Sequence, residues 1–184
     1  MDTAHWDYLL SQTCASRSSR YSHAKVLLQN ENLLAFTLAC ISEIKSENHI
    51  KAAWVLEMAL REKIQFLIPQ LDLFFEVAQN LTNDATKRSF SKIFELLTET
   101  HYIKKQELLN SEQKTLLVTL CFDLLIAKEK VAAQVYAMQS LFYLSTDFKW
   151  VKNELQLQLE LMYPNAKPGV KSRTKKILKA LKRS

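Results

Sequence analysis

Glycine is almost absent from this chain, and its scarcity limits the available folds more than any other feature of the sequence. Gly169 is the single glycine in 184 residues, where average usage would give roughly a dozen. Antiparallel sheets rely on tight turns at positive φ, a conformation that glycine reaches without steric cost. The sequence therefore predicts an all-α fold. The same scarcity excludes glycine-rich phosphate-binding loops, in which the backbone approaches the ligand closely.

Apolar residues recur with the period of an α-helix along most of the chain. In QFLIPQLDLFFEVAQNL they share one face, which predicts a continuous helix with Pro69 in its first turn: Leu67, Leu71, Phe74, Ala78 and Leu81. Asn83 or Asp84 is predicted to cap the next helix, because both side chains can accept hydrogen bonds from exposed backbone N–H groups. The inward face of that helix is predicted to hold Phe90, Ile93, Phe94 and Leu97.

Helical pairs recur at a regular interval. Bases lie near the starts of successive pairs at spacings of 37, 42 and 41 residues, which is typical of two-helix solenoid repeats: Lys51, Arg88, Lys130 and Lys171. With Pro69 opening a second helix, Asp84 in the turn and Arg88 early in the next helix, residues 24–184 resemble HEAT repeats. The resemblance implies a right-handed α-α superhelix of about four HEAT/ARM-like hairpins. Residues 1–184 are expected to form one domain, with residues 1–22 as an N-terminal arm or a helix.

Four segments of the sequence indicate a more specific family among HEAT-like proteins. They are similar to a family of small bacterial HEAT-like proteins of unassigned function: ATKRSFSKIFELL, VTLCFDLLI, KVAAQVYAMQSL and GVKSRTKKILKAL. Some members of that family carry the label adenylosuccinate lyase. That lyase resembles a long helical-bundle tetramer with a mobile loop rich in Ser, Met and Gly near a catalytic serine. A chain with one glycine has no such segment, so a lyase is the last-ranked interpretation.

No catalytic residue, metal ligand or cofactor site is predicted. The histidines are interpreted as surface or capping residues, because none has a second His or Cys one helical turn away: His5, His23, His49 and His101. A nucleophile elbow requires glycines that the chain lacks. Cys40 and Cys121 lie in apolar segments and are predicted to be core thiols. An enzymatic activity is therefore not favoured.

The sequence also gives no sign of a membrane partner. The opening MDTAHWDYLL lacks the basic region of a secretory signal. The longest apolar run, TLLVTLCFDLLIA, is interrupted by Asp123 and is too short to cross a bilayer. A cytoplasmic location is predicted.

Positive charge is concentrated at the C terminus. Residues 167–184 hold eight of the 25 bases and no acid, whereas the rest of the chain holds 17 bases and 19 acids. On a helix, the apolar residues of this segment share one face, which predicts an amphipathic helix that caps the repeats: Val170, Thr174, Ile177, Leu178 and Leu181. The opposite face is predicted to offer bases to a partner: Lys171, Arg173, Lys175, Lys176, Lys179 and Lys182.

Two acids and the tryptophans complete the candidate partner-binding residues. Asp72 and Asp123 lie in strongly apolar helices and are interpreted as members of polar strips, since Thr115, Thr119 and Asp123 recur at four-residue spacing. If both strips face one side, they would mark a groove, with Trp54 as an anchor. Packing in the core or within a hairpin is the favoured role for Trp6, Trp54 and Trp150.

These observations favour a non-catalytic scaffold that binds a protein or peptide partner, because stacked hairpins create an extended binding surface. The alternative is a nucleic-acid-associated HEAT-like protein related to helical-repeat DNA glycosylases, with bases on phosphates and a Trp or Asp at a damaged base. A basic groove in which Trp and Asp converge would favour that alternative. DNA binding through the C-terminal segment is expected to be weak and non-specific.

Overall fold

The fold was analysed in a computed structural model, which describes residues 1–127 and 130–183. Every regular element among these residues is helical, so the predicted all-α fold is confirmed. No helix in the described part of the chain is long and apolar enough to cross a membrane. The chain forms two compact units, Met1–Ile93 and Phe94–Ser184.

The first unit is helical from its N terminus, which resolves residues 1–22 as helices rather than an arm. The Asp2 side chain caps the first helix by accepting from the His5 N–H, and Ser16 caps the second by accepting from the Ser19 N–H. Short 3₁₀ turns cover Glu31–Leu33 and Ile64–Gln70. The α-helices are α1 (Thr3–Ser11), α2 (Arg17–Leu28), α3 (Leu34–Ser42), α4 (His49–Glu62), α5 (Leu71–Gln79) and the first half of α6 (Asp84–Tyr102).

Aromatic residues fill the core of the first unit. Helix α4 packs against α2 and α3, and α3 packs against α5. Trp6 is fully buried, and its indole Nε1–H donates to Thr37 Oγ1 at 2.9 Å. Phe74 stacks on Phe90 with ring centroids 4.7 Å apart. The inward-facing residues predicted for α6 are buried, with Phe90 and Ile93 in this unit and Phe94 and Leu97 in the second.

The continuous helix predicted over residues 67–81 is wrong at both ends. Residues before Leu71 form a 3₁₀ turn, because Pro69 has no N–H and its ring disfavours α-helical geometry in the preceding residue. Leu81 lies beyond the end of α5 and is half-buried. Asn83 is the cap of α6, as predicted, since its side chain accepts from the Ala85 N–H at 2.8 Å.

The second unit is arranged around α8, which contacts α7, α9 and α10. Asn110 and Gln113 form a reciprocal capping box at the start of α7. A 3₁₀ turn covers Tyr163–Asn165. After the second half of α6, the helices are α7 (Ser111–Ile126), α8 (Val131–Leu144), α9 (Lys149–Met162) and α10 (Pro168–Leu181).

Helix α10 packs against α8 and α9 through the apolar face that the sequence predicts. A Cβ atom on Gly169 would lie 3.1 Å from Val131 Cγ1, so glycine permits a close approach to α8. Leu178 is half-buried, at the edge of that face rather than within it. The buried residues are Val170, Thr174, Ile177 and Leu181.

The surface interpretation of the histidines is wrong for His49, which is only 4% exposed. Its Nδ1 contacts the carbonyl oxygen of Ile41, which links α3 to α4. His23 bonds Thr13 Oγ1 at 2.8 Å, and burial lowers the pKa of His23. His101 accepts from the Leu109 N–H at 3.3 Å, and burial is the main cause of its lowered pKa. His5 is exposed, as predicted.

Candidate functional site

The acidic candidates lie on exposed helix surfaces. Asp72 is on α5 in the first unit, and Asp123 is on α7 in the second. Thr115 and Thr119 are exposed with Asp123, and Thr119 Oγ1 donates to the carbonyl oxygen of Thr115 at 3.4 Å. The polar strip is therefore confirmed on α7. The groove proposed from Asp72, Asp123 and Trp54 together stays a prediction.

The tryptophans have three different environments. The core role is confirmed for Trp6, which is fully buried. Trp54 is half-buried on α4, and the guanidinium carbon of Arg20 lies 6.0 Å from its ring centroid. The core role is wrong for Trp150, which is 57% exposed and stacks on Phe122 with centroids 5.9 Å apart.

The predicted basic face of α10 is only partly open to a partner. Lys171 is half-buried, with its Nζ 5.8 Å from the centroid of the Tyr163 ring. Arg173 was expected on the outer face, yet its Nη1 donates to Gln139 Oε1 at 2.5 Å and lies 3.6 Å from Glu95. Arg173 therefore lies at the edge of the buried face of α10, and its hydrogen bond to Gln139 links α10 to α8. The exposed bases of this set are Lys175, Lys176, Lys179 and Lys182.

The sequence did not predict a basic cleft in the second unit that combines a loop with two helix ends. An open cleft of about 750 Å³ lies at the end of α6, the end of α8 and the start of α9. Three of its lining residues are Lys105, Lys149 and Lys152, and none of its lining residues is acidic. We call it the lysine cleft. Its other lining residues are Tyr102, Ile103, Phe142, Tyr143, Ser145, Thr146 and Asn153.

The lysines of this cleft have no anionic partner in the part of the chain that the structure describes. Among the described residues, none of the three ammonium groups makes an ion pair or a hydrogen bond. Lys149 and Lys152 lie in the first turn and a half of α9, which has no acid in its first turn. Positive charge near a helix N terminus is unfavourable by about 0.3–1 kcal/mol. Lys105 has a left-handed backbone, with φ 57°. An anion bound in the cleft would offset the repulsion between Lys149, Lys152 and the N terminus of α9.

Hydrogen bonds to Asp147, the residue after the lining residue Thr146, hold one side of the lysine cleft in place. Tyr102 donates its hydroxyl to Asp147 Oδ2 at 2.8 Å, and Lys114 Nζ lies 2.6 Å from the same oxygen. The Lys114 hydrogen bond is the largest cause of the lowered pKa of Asp147. Burial, followed by the Asp147 hydrogen bond, raises the pKa of Tyr102. Asp147 is thus already neutralised by Lys114.

The cleft was missed because its lysines come from two separate segments. Lys105 follows the end of α6, whereas Lys149 and Lys152 belong to α9. No periodicity argument connects a loop to a helix more than forty residues later. One signal was present, since KWVK at the start of a predicted helix places bases where acids are usual.

The described residues contain no arrangement typical of metal catalysis. No group of three or more His, Cys, Asp or Glu side chains among them is placed to hold a metal ion. Cys40 and Cys121 are buried, as predicted, and burial raises their pKa values to about 11 and about 12. Cys14 is exposed, and its hydrogen bond with Ser16 lowers its pKa to about 7.

Comparison with known families agrees with the helical pairs. The HEAT repeat domain family matches residues 9–181. The chain belongs to this family. The HEAT repeat region therefore begins in α1, earlier than residue 24, where the sequence resemblance began. No curated protein and no solved structure matches the chain.

Proposed function

We propose that this HEAT repeat protein is a non-catalytic scaffold that binds an acidic segment of a protein or peptide partner in the lysine cleft. The observation that carries the proposal is the set of unpaired ammonium groups of Lys105, Lys149 and Lys152, in a cleft without a lining acid. We also propose a cytoplasmic location, and the sequence resemblance to small bacterial HEAT-like proteins favours a bacterial source.

Apolar side chains beside the lysines favour a peptide over a simple ion. Ile103 is 59% exposed, and Phe142 and Tyr143 are half-buried. Aromatic residues in a partly desolvated cleft are typical anchors of protein interfaces. Each exposed lysine–carboxylate contact contributes about 0.2–1 kcal/mol and is screened by salt. Apolar contacts would therefore supply most of the affinity, and the lysines would select acidic sequences.

Nucleic-acid binding is the second candidate, and the exposed lysines of α10 favour it. Residues 94–184 carry 15 bases and nine acids, whereas residues 1–93 carry ten of each. A concentrated positive charge attracts phosphates through counterion release without requiring a shaped pocket. The two candidates use different lysines of the same unit and can be separated by mutation.

Binding of two matched peptides tests the proposal. One peptide alternates Asp or Glu with Phe or Leu, and the other replaces every acid by Asn or Gln. Isothermal titration calorimetry should detect binding of the acidic peptide and little binding of the neutral one. Replacing Lys105, Lys149 and Lys152 together by Gln should weaken binding by about tenfold or more, since each loses a charged contact.

The matched control replaces Lys175, Lys176 and Lys179 of α10 by Gln, which removes the same charge from another surface. Peptide affinity should change little in this variant. An equal loss in both variants would mean that net charge, not the cleft, binds the peptide. Sub-micromolar binding of a DNA oligonucleotide at physiological salt, lost in the α10 variant, would replace the proposal by the nucleic-acid candidate.

A further inference from the structure

The second unit exposes large apolar side chains on the neighbouring surfaces of α7 and α9. Trp150, Leu157 and Leu161 are each at least 50% exposed. They share one face of α9, because they are spaced at i, i+7 and i+11. Ile126, in the last turn of α7, is also exposed. We call these four residues the apolar strip.

Two observations show that the apolar strip is continuous across the two helices. At one end, the Trp150 ring stacks on Phe122 of α7, with ring centroids 5.9 Å apart. At the other end, Ile126 and Leu161 line the same depression, which has a volume of about 530 Å³. Leu157 lies between these ends on α9. Contiguous exposed apolar surface of this kind is typical of an interaction site.

The depression also contains a hydrogen-bond acceptor that suits a tryptophan. Gln158 is one of its lining residues, and Gln158 Nε2 donates to Glu154 Oε1 at 2.8 Å. The side-chain carbonyl oxygen of Gln158 accepts no hydrogen bond from a described residue, and the indole N–H of Trp150 donates none to one. A tryptophan buried at an interface usually donates its N–H to an acceptor. The depression therefore has the apolar walls and the acceptor that an incoming tryptophan needs.

We infer that the apolar strip binds a second copy of this chain. A two-fold axis would place the two α9 helices antiparallel, and Trp150 of each copy would enter the depression of the other. The strip suits this arrangement because the ring and the depression lie on one surface, roughly 15 Å apart along α9 at 1.5 Å per residue. A two-fold contact uses the same surface of both copies and closes after two of them.

The size of the apolar strip predicts a weak dimer. Its four side chains expose roughly 450 Å² per copy, so a dimer would bury about 1,000 Å² in total once the surrounding rim is included. This area is near the lower limit for a specific interface, which predicts a dissociation constant of about 10–100 μM. The lysine cleft uses another side of α9, since Lys152 lies about 140° around the helix from Leu157. Dimerisation is therefore independent of the proposed binding of acidic peptides.

Sedimentation equilibrium of the full chain, from about 1 to 500 μM, should show a reversible monomer–dimer equilibrium. Trp150→Ala removes the ring, and Leu161→Asp places a charge in the wall of the depression. Each change should weaken dimerisation by about tenfold or more, because both residues are central to the contact. Both side chains are exposed in the monomer, so neither change should unfold it. Ile44→Asp, at an exposed apolar position of the first unit, is the matched control and should leave dimerisation unchanged.

A mixture of the two variants distinguishes this mutual contact from general adhesion between apolar surfaces. Trp150→Ala keeps the depression, and Leu161→Asp keeps the ring. One copy of each can therefore form one of the two ring-to-depression contacts, whereas neither variant forms an intact contact with itself. At equal total concentration, the mixture should contain more dimer than either variant alone.

Four results would overturn the inference. They are a native chain that stays monomeric at the highest concentration, an equal loss in Ile44→Asp and Leu161→Asp, a mixture with no gain in dimer, and assembly that continues past two copies. Monomeric behaviour would leave the apolar strip to a different protein, and continued assembly would indicate a head-to-tail contact. Should Trp150→Ala unfold, Trp150→Phe carries the test, since it keeps an apolar ring and should weaken dimerisation by loss of the N–H alone.

Discussion

The two units hold their positive charge in different ways. In the first, Arg61 and Arg88 are fixed on the buried Glu57. In the second, the lysines of the cleft have no anionic partner among the described residues. Arginine suits a fixed position because its planar fork can bond a carboxylate and still present donors, whereas lysine is a flexible point charge. The first arrangement links α4 to α6, and the second suits the acidic segments of variable sequence that we propose as partners.

One pair in the second unit also joins an arginine to a buried acid. Arg173 lies 3.6 Å from Glu95, but its short hydrogen bond goes to Gln139 on α8. Its donors are directed toward neighbouring helices. We therefore assign Arg173 to helix packing.

The largest expected loss of stability comes from mutating the apolar face of α10, whereas mutating its exposed lysines should have almost no effect. Leu181 is 2% exposed, so Leu181→Asp should lower the free energy of unfolding by about 3 kcal/mol, from lost burial and an unpaired charge. Leu178→Asp should cost less, because Leu178 is half-buried. Replacing Lys175, Lys176, Lys179 and Lys182 by Gln should leave the denaturation midpoint nearly unchanged. A stability loss in that lysine variant as large as in Leu181→Asp would contradict the cap assignment.

The next effect concerns the fixed arginines of the first unit. Glu57→Gln should lower the free energy of unfolding by about 2 kcal/mol, because it removes the charge that both guanidinium groups share. Their partial exposure keeps the effect below that of a fully buried pair. Glu62→Gln on the exposed end of α4 is the matched control and should be within about 0.5 kcal/mol of the native protein. Urea denaturation of both variants measures the difference.

The smallest effect concerns Lys114, a lysine of the second unit that does have a partner. The folded state lowers the pKa of Asp147 below its ordinary value of 3.8, so Asp147 stabilises the fold above that pH. This contribution is lost as the pH falls from 3.8 through the folded pKa. Asp147→Asn should cost about 1 kcal/mol or less at pH 7, since the pair is partly exposed.

Melting temperatures of the native protein and Asp147→Asn, measured from pH 7 to pH 2, check this linkage. The gap between them should be constant above pH 5 and should narrow below pH 3.8. A gap that persists unchanged at pH 2 would show that the hydrogen bond from Tyr102, not the charge of Asp147, accounts for the effect.

Much of the fold could be predicted because helical period and glycine scarcity are properties of neighbouring residues. The buried face of α10 and the inward residues of α6 follow from spacing alone. The α6 cap at Asn83 follows from local hydrogen-bonding chemistry. The 3₁₀ turn before α5 could not be predicted from apolar spacing, since Leu67 and Leu71 are buried in either geometry.

The sites could be predicted only in fragments. Trp54 was identified from its type, but its contact with Arg20 depends on α2 packing against α4. The burial of His49 was missed because its partner is a backbone carbonyl in the last turn of α3, eight residues earlier, which leaves no pattern in side-chain types. Arg173 was misassigned because an edge position on α10 is half covered by α8. Each miss involves a contact between separate helices.

The backbone conformation of Lys105 affects how the lysine cleft would change under selection for stability. It is the one non-glycine residue with positive φ in the described part of the chain. Glycine or asparagine adopts that conformation with less strain, so Lys105→Gly should be tolerated or stabilising there. Selection for thermal stability alone would therefore tend to replace this lysine early and weaken the proposed binding of acidic segments while the helices stay intact. If a library of variants is selected for stability, a base should be kept at this position only when ligand binding is selected as well.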